Sequence, residues 1–180
     1  MRKEPLMLAS ALVATLPLAA WTKAQDVDLQ TLLAIAAVAE ADWSAADRSA
    51  QWHVHQRRAA RDGLTLEQSL RSYVSMLRRH DSSPRAKWVM ELTADCSRPA
   101  DWDETAGKWE HYQARCSQLF EDATSFLAGS LADPCHGATQ YGSPILPSDV
   151  LRARRAVKAG RWQLVVCKPK TVQSYFKEVR

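Results

Sequence analysis

The sequence predicts an α+β fold, mainly helical, with a short antiparallel β element toward its C-terminal end. Three observations predict it. Residues 29–39 are apolar almost without a break. Residues 103–128 place Trp109, Tyr112, Cys116, Leu119, Phe120, Ala123, Phe126 and Leu127 at helical spacing. Residues 162–167 alternate and are β-branched, after a stretch rich in turn formers. Helices first and short strands last is the α+β order. With 180 residues, 46% of them hydrophobic, and only six Gly and eight Pro, the chain holds one domain's core and is neither collagen-like nor disordered.

The elements follow in order. Arg2 and Lys3 precede an apolar run over 6–20, interrupted only by Ser10, Thr15 and Pro17, with small residues after it. About 15 apolar residues fall short of the roughly 20 that span a bilayer, so residues 1–24 read as a signal peptide or N-terminal membrane tether. Residues 25–180 then form the domain. A first helix opens on Asp26 or Asp28 and runs to 41; being apolar almost all round, it belongs in a core. A second starts near Ser44 or Asp47, runs to Arg61 and closes on Gly63. Thr65 and Gln68 supply a capping box for a third helix through Arg79. Ser82-Ser83-Pro84 opens a short fourth helix carrying Trp88, Val89 and Leu92. Residues 93–103 form a loop, and the long helix over 103–128 ends at Gly129. Residues 133–144 are turn-rich with room for one short strand, and 162–167 pair as a hairpin with 172–176 across Pro169-Lys170.

Cys96, Cys116, Cys135 and Cys167 are an even set in a chain with an export-type N-terminus, which favours disulfides. Four cysteines allow three pairings. Cys96 with Cys116 and Cys135 with Cys167 is favoured, because each joins segments able to pack together; buried free thiols are the alternative. No metal is expected, since no Cys-x-x-Cys or His-x-x-x-His spacing is present, and His53 and His55 face different sides of one helix.

The net charge of +4 is unevenly spread. Residues 25–150 carry 12 Lys/Arg against 18 Asp/Glu, whereas residues 151–180 carry nine Lys/Arg against Glu178 alone. A basic block of that kind meets an anionic polymer or surface, or balances the acidic body. In an exported chain the candidates are wall polymers and a membrane surface; no nucleic acid is expected as partner.

For chemistry, Glu40 is the most informative residue. It closes the apolar helix, so its carboxylate emerges at the edge of the core, where burial and the negative helix end favour a protonated acid. Such an acid is what glycosidic cleavage needs. Hydrolysis calls for a second carboxylate. Asp42 and Asp47 are nearest in sequence, with Asp47 better suited to capping the second helix. Attack by the sugar's own hydroxyl, as in lytic transglycosylation, needs only one acid. Seven Trp and four Tyr are ample for sugar stacking, and Trp43, Tyr73, Trp88 and Tyr141 sit near element ends where clefts form. No nucleophile elbow and no Gly-rich phosphate loop is present.

Taken in order, five stretches carry a resemblance. They are Val38-Ala39-Glu40-Ala41; the Arg-bearing helix from Asp47-Arg48-Ser49 to Arg57-Arg58; Leu66-Glu67-Gln68-Ser69-Leu70-Arg71-Ser72-Tyr73; Ser83-Pro84-Arg85-Ala86-Lys87-Trp88-Val89; and Asp133-Pro134-Cys135-His136-Gly137-Ala138-Thr139-Gln140-Tyr141-Gly142. Over roughly residues 30–176 the chain resembles the small lysozyme-like cell-wall hydrolases of bacteria and their phages, and is loosely similar to spore-cortex-lytic and lytic-transglycosylase domains. It departs from them in having Ala39 where Gly is expected and Gln140 where His is expected. The resemblance implies a lysozyme-like catalytic domain over 25–180, with Glu40 as the catalytic acid and the Gly-Ala-x-x-aromatic segment lining the saccharide cleft.

The expectation is therefore a periplasmic or secreted enzyme, membrane-tethered if the N-terminal segment is kept, that cleaves the glycan of peptidoglycan. Glu40 would be catalytic, and Tyr73, Trp88, Gln140 and Tyr141 substrate-binding. No cofactor is implied, because cleavage through carboxylates needs none. The rival is an exported wall-binding or protein-interaction domain that docks through residues 151–180 without chemistry. A metal-dependent peptidase lacks a ligand set.

Overall fold

The structure, a computed structural model, describes residues 27–40, 44–78, 89–100, 102, 109–143 and 146–179. The N-terminal segment 1–24, the 82–84 cap, Asp42, Trp43 and Trp88 lie outside the described residues. The architecture is α+β as expected: helices α1 (Leu29–Glu40), α2 (Ala45–Asp62), α3 (Leu66–Tyr73), α4 (Ser75–Arg78) and α5 (Trp109–Leu127), then β1 (Gln140–Gly142), α6 (Pro147–Lys158), β2 (Trp162–Val165) and β3 (Ser174–Glu178).

Helix α1 is the centre of the helical layer. Thr31 through Val38 are all buried, as a helix without a polar face requires, and α2, α3, α4 and α5 pack around it. Asp28 opens it, its carboxylate accepting the Thr31 N–H (2.9 Å) and hydroxyl (3.0 Å). Helix α2 is capped by Ser44 rather than Asp47, and its end turns on Gly63 at φ 65°, a left-handed position that glycine takes without steric cost. The Thr65–Gln68 capping box is formed in both directions.

Three expected elements have other bounds, each because of a contact distant in sequence, and a fourth element is new. The third helix does not continue to Arg79. It breaks at the extended, buried Val74, and the next N–H, that of Ser75, donates to the Glu40 carboxylate (2.7 Å). The strand over 162–167 stops at Val165, because Cys167 is bonded to Cys135 and the Lys168 N–H donates to Pro134 O (2.8 Å). Its partner begins at Ser174 instead of Val172, since the N–H groups of Val172 (2.8 Å) and Gln173 (2.9 Å) are held by the buried Asp47 carboxylate. Helix α6 has no counterpart in the sequence expectation, although Pro147 at its first turn, Asp149 beside it and Lys158 near its end are helix signals.

The sheet runs in the order β1-β3-β2, both pairs antiparallel, with Tyr175 opposite Tyr141 on one side and Val165 on the other. It joins the helices through a second core in which Ala50 and Val54 of α2 meet Cys135, Ala138 and Tyr175. Both favoured disulfides are formed, Cys96–Cys116 and Cys135–Cys167. Bonds of this kind belong to an oxidising compartment. Among the described residues no helix is long and apolar enough to cross a membrane.

Candidate functional site

A cleft of about 580 Å³ opens where the C-terminal end of α1 meets the sheet, and Glu40, Tyr73, Gln140 and Tyr141 all line it. Four residues separated by up to 101 positions are thus brought to one place. Trp88 lies outside the described residues.

Glu40 is half-buried, and both carboxylate oxygens have partners. Oε1 accepts the Ser75 N–H, and Oε2 accepts the Tyr141 hydroxyl in a very short hydrogen bond. Its backbone carbonyl accepts the Gln173 side-chain amide, which ties the end of α1 to the turn before β3. The acid is therefore held from three directions, by α4, β1 and the 171–173 turn.

Behind Tyr141 lies a buried polar network. The Tyr141 oxygen is 3.3 Å from Gln51 Nε2 and 3.1 Å from His55 Nε2. Because the hydroxyl proton goes to Glu40, both nitrogens are donors to the same oxygen, which sets His55 as the Nε2–H tautomer. Its Nδ1 is then a bare, buried acceptor without a partner among the described residues. Burial, and after it the Arg58 charge, pushes His55 down to about 3, so the ring is neutral at physiological pH. Burial, and after it the Glu40 charge, pushes the Tyr141 hydroxyl far above its ordinary value, so it remains a donor.

Arg58 forms the floor of the cleft. Its guanidinium lies 4.9 Å from the Tyr73 ring centre and 5.2 Å from that of Tyr141. Its Nε donates to Thr139 O (2.9 Å) and Nη2 to Gln140 Oε1 (2.8 Å). Burial lowers its affinity for the proton, and the facing tyrosines and Glu40 oppose that. Gln140 is spoken for at both ends, since its amide also donates to Glu178 (2.8 Å). Tyr73 is anchored by donating its hydroxyl to Asp62 (2.6 Å), which raises the phenol above its usual range, and the residue stays 38% exposed as a wall of the cleft.

The second carboxylate of the cleft is neither of those nearest in sequence. Asp42 lies outside the described residues, and Asp47 is fully buried under the 172–173 turn, where the Tyr175 hydroxyl also approaches it (3.5 Å). Asp149 of α6 lines the cleft instead. Its Oδ2 accepts the Ser143 N–H (3.0 Å) and Arg152 approaches Oδ1 (3.4 Å). Gly142 makes room for it: a Cβ there would stand 3.2 Å from Asp149 Oδ2.

Residues that sequence reasoning did not assign to the site are Gln51, His55, Arg58, Ser75, Asp149, Arg152 and Gln173. One signal was available. Asp47, Gln51, His55 and Arg58 recur at i, i+4, i+8 and i+11, a polar stripe on one face of a helix whose other positions also include buried residues. His53 lies off that stripe, with Nε2 3.1 Å from Leu131 O and its ring edge-on to Phe126 at 5.0 Å. Among the described residues no three His, Cys, Asp or Glu side chains are grouped to hold a metal ion. No protein-family model matches the chain, and neither a curated protein nor a solved structure was found to be similar to it.

Proposed function

We propose that the chain is an exported peptidoglycan-cleaving enzyme, periplasmic or secreted, in which Glu40 is the general acid. The observation that carries this reading is the meeting of Glu40 with Tyr141 in an open cleft. The acid that ends an apolar helix lies against the aromatic residue of the Gly-Ala-x-x-aromatic segment, 101 positions later. Glu40 would protonate the leaving glycosidic oxygen, with Tyr141 and Ser75 keeping its carboxyl aimed. Tyr73 offers a partly exposed ring against which a sugar can stack, and Gln140 contributes to the wall more than to hydrogen bonding. The two disulfides agree with an oxidising compartment. The basic block 151–180 would draw the enzyme to anionic wall polymers or a membrane surface.

The reaction then divides by what attacks the anomeric carbon. With Asp149 activating water, two carboxylates serve and the products carry reducing ends. With Asp149 confined to its contacts with Ser143 and Arg152, the sugar's own hydroxyl attacks and the ends are anhydro.

The test is release of soluble muropeptides from purified peptidoglycan by wild type and Glu40→Gln, with mass spectrometry of the products. Glu40→Gln keeps the shape and removes the proton to be given, so release should fall by at least about 100-fold, the lower range for a general acid. Equal release by both proteins, or none by wild type, refutes the catalytic assignment. In the second case binding to insoluble peptidoglycan would favour the non-catalytic wall-binding domain.

A further inference from the structure

Beside the cleft lies a second depression that the glycan-cleaving reading leaves unused. It is a groove of about 610 Å³ between α6 and the sheet. Its surface is apolar: Val150 and Val157 of α6 face Leu164 of β2 and Phe176 of β3. Leu164 is 57% exposed and Val157 43%, so apolar surface stands open to water where a core would bury it. Two cations, Arg154 and Lys158, stand on the α6 wall. Both are exposed, and neither has an ion-pair partner among the described residues. The groove is also continuous with the cleft, since Gly142, Ser143 and Asp149 line both.

These three properties select the occupant. A sugar carries hydroxyls around its whole ring, and the apolar floor of Val150, Val157, Leu164 and Phe176 leaves most of them without partners even with Ser143, Asp149 and Ser174 in the lining. An acyl chain suits the apolar floor but gives no reason for the groove to run into a cleft holding the acid. A short peptide with methyl side chains and free carboxylates fits the floor, the two cations and the continuity together. In peptidoglycan such a peptide hangs from the glycan strand.

Building on the glycan-cleaving reading, we propose that this groove binds the stem peptide of the strand whose sugars occupy the cleft. Its methyl groups pack on Leu164, Val157 and Phe176, and its carboxylates face Arg154 and Lys158. The groove then makes the enzyme selective for strands that still carry their peptides.

The test compares two substrates for the full chain: intact peptidoglycan strands, and strands stripped of peptide by an amidase. The ratio of initial cleavage rates, stem-bearing over stripped, should be about ten in wild type. It should fall toward one in the double variant Arg154→Glu/Lys158→Glu. Arg155→Glu, also exposed on α6 but outside the groove, controls for bulk charge and should keep the wild-type ratio. A ratio of one in wild type, or one unchanged in the double variant, overturns the proposal. Binding of a synthetic stem tetrapeptide separates this from the underlying activity. Binding to wild type that the double variant loses, with neither strand cleaved, supports the groove and refutes catalysis. Cleavage without peptide binding refutes the groove alone.

Discussion

His55 is the group whose perturbation tests the buried network most directly. Its side chain has no exposure, its Nε2 faces the Tyr141 hydroxyl, and Arg58 of the same helix and the rings of Tyr73 and Tyr141 surround it. Burial first and Arg58 second lower it from 6.5 to about 3 in the folded chain. Between those two values the unfolded chain carries a proton on His55 and the folded chain does not. The unfolded state therefore binds more protons, and stability must fall as pH falls from about 6.5 toward about 3, with no contribution from this group above that window. The slope is about 1.4 kcal/mol per pH unit, so the loss between pH 7 and pH 4 amounts to roughly 3 kcal/mol. His55→Gln keeps an amide donor for Tyr141 and removes the titration. Urea unfolding with disulfides intact, at several pH values from 7 to 4, should find the variant less stable at pH 7 by about 1–2 kcal/mol. The deficit should close, then reverse, as the pH is lowered. Parallel profiles for wild type and variant would refute the reasoning, because they would mean that the imidazole protonates in place.

Two further outcomes follow from the same geometry. Tyr141→Phe removes the donor to Glu40 and leaves the His55 N–H without an acceptor, so thermal melting should report about 1–3 kcal/mol of destabilisation, and muropeptide release should fall by an order of magnitude or more in protein still folded at the assay temperature. The double variant Cys135→Ala/Cys167→Ala reopens a loop of sequence separation 32, which the chain-entropy relation values at about 4 kcal/mol, or roughly 10 °C in a domain of this size; a melting shift under about 2 °C would show that the second core holds the sheet without the bond.

Much of the fold could be read before the structure because it rests on local patterns. Helix α1 is announced by an unbroken apolar run, α2 by Ser44 and Gly63, α3 by its capping box, and α5 by apolar spacing. What could not be read are departures forced by contacts distant in sequence. Nothing local says that helix α3 must break at Val74; the Ser75 N–H finds a better acceptor in Glu40, 35 positions earlier. Nothing local moves the start of β3 from Val172 to Ser174; a carboxylate on α2 takes the two amides that would have joined the ladder. Helix α6 is a different failure. Pro147 and Asp149 are helix signals, but Ala156 alone is buried along it, so no apolar period marks the helix. Missing α6 also hid Asp149, the second carboxylate of the cleft.

The polar stripe of α2 argues that this region is arranged for something other than stability. Asp47 holds the 172–173 turn, Gln51 and His55 hold the Tyr141 hydroxyl, and Arg58 supports Tyr73, Thr139 and Gln140. The β1, Tyr73 and 172–173 walls around Glu40 are thus referenced to successive turns of one helix, while the α6 wall with Asp149 is not. Arg57, off the stripe, anchors the loop leading to β1 through Asp133 (2.5 Å). Apolar side chains at those positions would pack without the desolvation cost of burying a carboxylate, an imidazole and a guanidinium, and replacing such groups by apolar ones is often neutral or stabilising. The His55 Nδ1, which has no hydrogen-bond partner among the described residues, adds to that cost. What the stripe supplies in return is direction. Hydrogen bonds constrain angle as well as distance, and the Tyr141 hydroxyl is aimed at Glu40 with the Gln51 amide donating from behind it. Under the proposed glycan-cleaving function, that constraint would aim the Glu40 carboxyl at one oxygen of a bound strand, as positioning of a proton donor requires.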